Sequence, residues 1–336
     1  MLGKSDGRTD PGRCLAMTVT TRSPWLRAPS DADSVLAAKG RSFYWAKHLL
    51  DPVHASRATR LYRLCRYIDD LADETNSVDA ARKALSSTAL SIARGGSPDP
   101  PVSDGLKLMR ECQIDPAIVL ELIDGVSSDL DEVRIPDVDS LLRYCYQVAG
   151  TVGLMMCKVL DTEDSAAFPH AIDLGIAMQL TNICRDISAD AALGRRYLPA
   201  SMVGTLAPDE LINPAESLRP MLRQCVAALL DRADIYYRSG EAGLSYLPVR
   251  ARGGILVAAR IYRAIGTELR ARDNAFWTGR VVVQKRAKAV LTAQALLDIS
   301  FRPAFWRHPL HHDTRLHSAL PCSSLSSSSS CPDHAA

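Results

Sequence analysis

The chain has few aromatic residues, 6% of its 336, and no excess of either charge, with a formal net of +2. That balance gives no electrostatic reason to expect a nucleic-acid partner. No run stays apolar for the 18 or so residues that a transmembrane helix needs. The first residues lack the apolar core of a secretory signal. The nine cysteines include no CxxC pair. They are scattered, and Cys65, Cys145, Cys157 and Cys184 fall inside apolar helical patterns. That usage fits reduced core residues of a cytoplasmic protein. Strands with a convincing two-residue alternation are missing, as are solenoid repeats and a GxGxxG dinucleotide fingerprint.

Hydrophobic residues make up 47% of the chain, enough for a sizeable core in one large domain. Residues 1–30 are rich in Gly, Arg, Thr, Ser and Pro without periodicity and read as a disordered arm. Residues 301–336, with their SSLSSSSSC run, read as a mostly disordered tail. His308, His311 and His312 fall in that tail, where histidines are usually incidental. Phe301, Phe305 and Trp306 fit helix-end packing better than a membrane surface. Residues 31–300 between these ends predict an all-α bundle of about eight to ten helices. Asp51-Pro52, Asp115-Pro116 and Asn213-Pro214 each set a capping side chain before a proline, which marks a helix start. Leu61, Leu64, Ile68 and Leu71 form one apolar stripe, and Ile176, Leu180, Ile183 and Ile187 another.

Two oxygen-rich ladders lie off these stripes. Asp69 and Asp73 are four apart on the first helix, so they stack on one face about 6 Å apart along the axis. Asn182, Asp186 and Asp190 step by four over two turns of a later helix. Like charges at this spacing destabilise a bare helix, and a hard divalent cation removes the penalty. Taken singly, each ladder reads about as well as a solvated acidic face. Taken together across a bundle, five oxygen-bearing side chains suit Mg²⁺ completed by a diphosphate. Arginines stand nearby: Arg57, Arg60, Arg63 and Arg66 before the first ladder, and Arg185, Arg195 and Arg196 around the second. Salt bridging is the better account of Arg57 and Arg60, and phosphate binding of Arg66 and Arg195.

With these residues in hand, the chain resembles the squalene and phytoene synthase family over roughly residues 34–275. The resemblance rests on Lys39 to Tyr44, Leu61 to Asp73 and Tyr144 to Gly153. It continues through Gln179 to Asp190, Gly194 to Pro199, Tyr236-Tyr237, Ala242 to Leu244, Leu247-Pro248 and Tyr262. It implies an all-α isoprenoid synthase fold around a central active-site cavity. It implies metal binding by Asp69, Asp73, Asn182, Asp186 and Asp190, and diphosphate contacts from Arg66 and Arg195. Ser42, Phe43, Tyr62, Gln179 and Tyr262 would line the substrate site, and Tyr144 matches a tyrosine assigned to proton transfer or cation stabilisation. Ala189 stands where some relatives carry an acid, outside the four-step ladder.

The implied reaction is head-to-head condensation of two geranylgeranyl diphosphates, through a cyclopropyl diphosphate, to phytoene. The catalytic acids would be Asp69, Asp73, Asp186 and Asp190, with Mg²⁺ or Mn²⁺ and no NADPH. Rival readings are squalene or dehydrosqualene synthesis from farnesyl diphosphate, and a non-catalytic helical assembly factor. A terpene cyclase usually carries Asn, Ser or Thr, and Glu in its second ladder, where this chain has Asp186 and Asp190. The expected location is cytoplasmic, with peripheral contact on the inner face of the cell membrane because the product is an insoluble hydrocarbon.

Overall fold

A computed structural model describes residues 48–73, 77–299, 301, 303–309 and 311–321. Ser42 and Phe43, and with them the Lys39 to Tyr44 motif, lie outside the described residues. Ten helices of eight or more residues build the described fold. They are α1 (Pro52–Asp73), α2 (Val78–Arg94), α3 (Pro100–Glu111), α4 (Pro116–Ser128), α5 (Val138–Cys145), α6 (Thr151–Val159), α7 (Ala167–Ala192), α8 (Arg219–Ala242), α9 (Val249–Ala271) and α10 (Lys285–Ile299). Among the described residues β pairing is limited to an isolated bridge between Arg134 and Arg196. This is the all-α architecture that the patterning predicts.

Local chemistry sets the helix ends. The Asp51 carboxylate accepts from the amides of Val53 and His54, and α1 opens at Pro52. Asp115 accepts from the Ala117 amide 2.9 Å away and opens α4, again with proline in the first turn. The third expected start fails. Residues 214–215 are irregular and 216–218 form a turn, and the long helix α8 begins at Arg219. The Arg219 guanidinium donates back to the Pro214 carbonyl at 3.1 Å and holds that turn, so the next proline, Pro220, takes the first-turn role.

The predicted stripes are core. Leu61, Leu64 and Ile68 of α1 are buried against Leu106, Val119 and Met155. Ile176, Leu180, Ile183 and Ile187 of α7 are buried with Leu229, Tyr236 and Tyr237 of α8. Both α1 and α7 pack on α6, which spaces them and leaves a cleft between. Between α5 and α6 the helix widens into one π turn, Tyr146–Gly150. Gly153 and Gly175 explain this crossing. A Cβ on Gly153 would lie 2.2 Å from the Ala171 carbonyl oxygen, and one on Gly175 would lie 2.3 Å from that of Ala149. Only bare backbone lets α7 approach so closely.

At the C-terminal end the packed chain runs further than residue 300. Phe305, His317, Ala319 and Leu320 are buried, and the Tyr236 hydroxyl donates to the Leu316 carbonyl at 2.7 Å. Residues 311–321 are therefore a strap on the bundle, held by polar groups with no apolar periodicity to announce them. His312, expected to be incidental, bonds Asp173 at 2.7 Å. No helix among the described residues is long and apolar enough to cross a membrane.

Candidate active site

The cleft between α1 and α7 brings the two ladders together. Asp69 and Asp73 line it from one side and Asn182, Asp186 and Asp190 from the other. Gln179, Arg195 and Tyr144 line it too. Its volume is about 220 Å³. Below it lies an apolar cavity of about 270 Å³, walled by side chains such as Leu61, Val152, Met156, Leu174, Met178 and Leu247. Tyr62 and Tyr262 line this lower cavity and not the polar cleft. Val148, Gln179 and Asn182 border both spaces and mark their junction.

The intervening acid takes another path. Asp70 is buried and ion-paired with the half-buried Arg66 one turn earlier, which occupies that guanidinium within helix α1. Arg57 and Arg60 bridge as expected, but between helices: Arg57 to Glu111 and Asp161, Arg60 to Asp104 and Glu111. Arg195 does reach the cleft and stands 3.4 Å from Asp73. Its placement is local. Gly194, at φ 77°, lets the chain turn back, and the Arg195 amide donates to the Asp190 carbonyl at 2.9 Å.

Three residues that the sequence did not single out complete the cleft. Asp129 follows α4 and accepts from Tyr144 at 2.9 Å and from Tyr197 at 2.7 Å. The two phenol rings stack with centroids 4.9 Å apart. Arg280, in the loop before α10, donates to Asp186 at 2.7 Å, and Arg185 donates to the same carboxylate. Tyr197 belongs to the quoted Gly194 to Pro199 motif and was within reach. Asp129 and Arg280 stand in loops and carry no periodic signal.

Charge in the cleft is uneven. Burial pushes the Asp69 carboxyl up to about 7, against Arg66, with Asp73 and Asp70 adding to the rise. Burial and the Asp186 charge push Asp190 up to about 7, against Arg195. Asp129 is raised by burial, partly offset by its tyrosine hydrogen bonds and Arg195. Asp186 goes the other way: burial raises it, but the hydrogen bonds from Arg185 and Arg280 outweigh that and hold it low. Burial, then the Asp129 charge, lifts the Tyr144 phenol well above its usual range, so it stays protonated. The Asn182 side-chain oxygen is buried and accepts no hydrogen bond among the described residues. With Asp69 and Asp190 held near neutrality and an amide oxygen without a donor, the cleft can take more positive charge than Arg195, Arg185 and Arg280 supply. These acid and amide oxygens fit a hard divalent cation.

A polar, acid-lined mouth over an apolar cavity suits a molecule with a charged head and a long hydrocarbon tail. The known proteins that this chain matches fit that shape. Residues 36–287 match the family model described as squalene/phytoene synthase. The phytoene synthase of Pseudescherichia vulneris is 33% identical over 302 residues, 83% of this chain and 97% of the relative. The 15-cis-phytoene synthase of Enterobacter agglomerans is 34% identical over 268 residues, 76% of this chain and 90% of the relative. Among solved structures, a dehydrosqualene synthase superposes with a TM-score of 0.72 at 26% identity, over 81% of this chain and 96% of its own. Fold, cleft and matches agree, and the chain belongs to the squalene/phytoene synthase family.

Proposed function

We propose that this protein joins two geranylgeranyl diphosphates head to head to make phytoene, the first committed step of carotenoid biosynthesis. The observation that carries the reading is the junction of the two spaces. Five ladder side chains surround a polar cleft that opens directly onto an apolar cavity. Relatives named 15-cis-phytoene synthase, at 33–34% identity, favour the C20 substrate.

Asp69, Asp73, Asn182, Asp186 and Asp190 would hold Mg²⁺, or Mn²⁺, which neutralises charge on a departing diphosphate. Arg195 at the cleft wall gives that group a guanidinium partner. Arg280 and Arg185, now on Asp186, stand within reach of the same region. Loss of the first diphosphate leaves an allylic cation, whose C1 attacks the double bond of the second chain. Proton loss closes a cyclopropane. The second ionisation, rearrangement and proton loss then give the conjugated triene of phytoene. The apolar walls around Met156, Leu174 and Met178 exclude the water that would quench these cations. Tyr144 keeps its proton and is oriented by Asp129, so its oxygen faces the cleft as a dipole or a proton-transfer group. No reductant enters this sequence, so NADPH is not required.

The reaction would run in the cytoplasm with peripheral membrane contact. Leu297, Phe301 and Trp306 near the end of α10 are exposed, against the helix-end packing expected of the two aromatics, and offer an apolar surface for it. Product analysis of purified protein with Mg²⁺ tests the reading. A C40 hydrocarbon from geranylgeranyl diphosphate without NADPH supports it. A C30 product from farnesyl diphosphate replaces it with squalene or dehydrosqualene synthesis, and no product from either, in folded protein, overturns both.

A further inference from the structure

On the far side of α7 from the ladders lies a second polar cluster with no part in that chemistry. Asp173 is fully buried and His170 nearly so, one turn apart on α7. The strap brings His312 and His317 to the same point. His312 Nε2 lies 2.7 Å from one Asp173 oxygen, and His317 Nε2 lies 2.8 Å from the other. Ser239 of α8 donates to Asp173 as well. None of these three partners is a lysine or an arginine. One nitrogen each from His170 and His312 and one oxygen from Asp173 lie within 4.8 Å of one another.

We propose that His170, Asp173 and His312 form a transition-metal site, best suited to Zn²⁺, that fastens the C-terminal strap to the catalytic bundle. Donor type separates it from the cleft. Imidazole nitrogens prefer zinc, nickel or copper, whereas the cleft offers only hard oxygens. A tetrahedral zinc with bonds of about 2.0–2.1 Å wants its ligand atoms about 3.3 Å apart. The three donor atoms lie within 4.8 Å of one another, so rotation of the two imidazoles has to close the widest spacing by up to about 1.5 Å to complete it.

The surroundings resemble those of a protein zinc site. His170 Nδ1 lies 2.8 Å from the Ser239 carbonyl, which can only accept, so Nδ1 carries the proton and Nε2 keeps the lone pair. His317 holds the second Asp173 oxygen and so fixes how the carboxylate presents its first. Rings crowd the site: His170 and His312 meet edge to face at 5.1 Å, and His312 and His317 lie 4.6 Å apart.

The location gives the site its consequence. His170 also lines the apolar cavity, at a wall shared with Gly243 and Leu244. His312 and His317 stand beyond residue 287, where the family match ends, so the strap adds one of the three ligands, and the histidine that orients the carboxylate, to a helix that the family match includes. Metal binding would therefore stiffen the cavity wall opposite the cleft and hold the strap down.

The test uses the full-length chain without a histidine tag, stripped by chelator and titrated with Co²⁺, then Zn²⁺. The expected result is one equivalent of Co²⁺ with the visible bands of a tetrahedral site, bleached by Zn²⁺. The bands should be unchanged in Asp69→Asn and at least 100-fold harder to fill in His312→Ala. Protection of the strap from protease, read in the same samples, should rise with Zn²⁺. If His312→Ala proves unfolded by circular dichroism, His312→Gln replaces it. Absence of tetrahedral bands in folded wild-type protein means a hydrogen-bonded clamp only and overturns the proposal. Bands that persist in the folded His312 variant assign the ion elsewhere and overturn it too.

Discussion

Replacing Asp69 by Asn should make the metal-free protein more stable while it removes turnover. The carboxyl sits in the cleft with its pKa raised from 3.8 to about 7, by burial first and then by Asp73 and Asp70. A raised carboxyl pKa means that the folded chain keeps its proton to higher pH than the unfolded chain does. Stability therefore falls as pH rises from about 4 through 7, and the loss is complete above that. Holding the ionised group folded at pH 8 costs on the order of 4 kcal/mol. At pH 5 the folded group is protonated and only the unfolded chain gains from ionising, so the cost is about 1.5 kcal/mol. Asn never ionises. Water in the cleft and local relaxation screen part of the effect, so the expected gain at pH 8 is about 2 kcal/mol. Urea unfolding of both proteins in chelator, at pH 5 and pH 8, reads it directly. A variant no more stable than the parent at pH 8, or equally favoured at both values, would refute the reasoning. Saturating Mg²⁺ with inorganic diphosphate should erase the advantage, because only the parent has the carboxylate that the proposed function makes a metal ligand.

Asp186→Asn should lower product formation at least about 100-fold and also cost about 1–3 kcal/mol in unfolding, since one of the two carboxylate oxygens that accept from Arg185 and Arg280 becomes an NH2 group; near-parental turnover would remove Asp186 from the mechanism. Gly153→Ala should cost about 3 kcal/mol or more in thermal unfolding, because its Cβ would press on the Ala171 backbone and no flexible side chain can give way. A cost below about 0.5 kcal/mol would show that α6 and α7 do not pack as described.

The parts legible in the sequence were those written at helical spacing. Asp69 and Asp73, and Asn182, Asp186 and Asp190, reach one cleft because three- and four-residue steps fix a face, and the buried stripes beside them fix which face turns inward. Gly153 and Gly175 meet backbone carbonyls across the crossing, and nothing in their own spacing says which ones. Less legible were contacts made by loops. Asp129 orients Tyr144 and Tyr197 across 15 and 68 residues, and Arg280 reaches Asp186 across 94. The strap was missed for the same reason. Asp173 and His312 are 139 residues apart, and neither side of that pair carries a period. Asn213-Pro214 failed because a capping pair names a possible start, while Arg219 decided where the backbone actually turned helical.

The border formed by Val148, Gln179 and Asn182 divides two solvents within one protein. Above it the surroundings behave like a concentrated electrolyte, below it like an oil droplet. Whatever partitions across that border must be a surfactant in its own right. Detergents with an anionic head and a long tail therefore belong to the same chemical class as the proposed substrate, and should compete with it below their micelle threshold. The medium chosen to keep a C40 hydrocarbon dispersed becomes a reactant in the binding equilibrium, and neutral-headed amphiphiles or lipid vesicles are the dispersants that the cleft itself recommends.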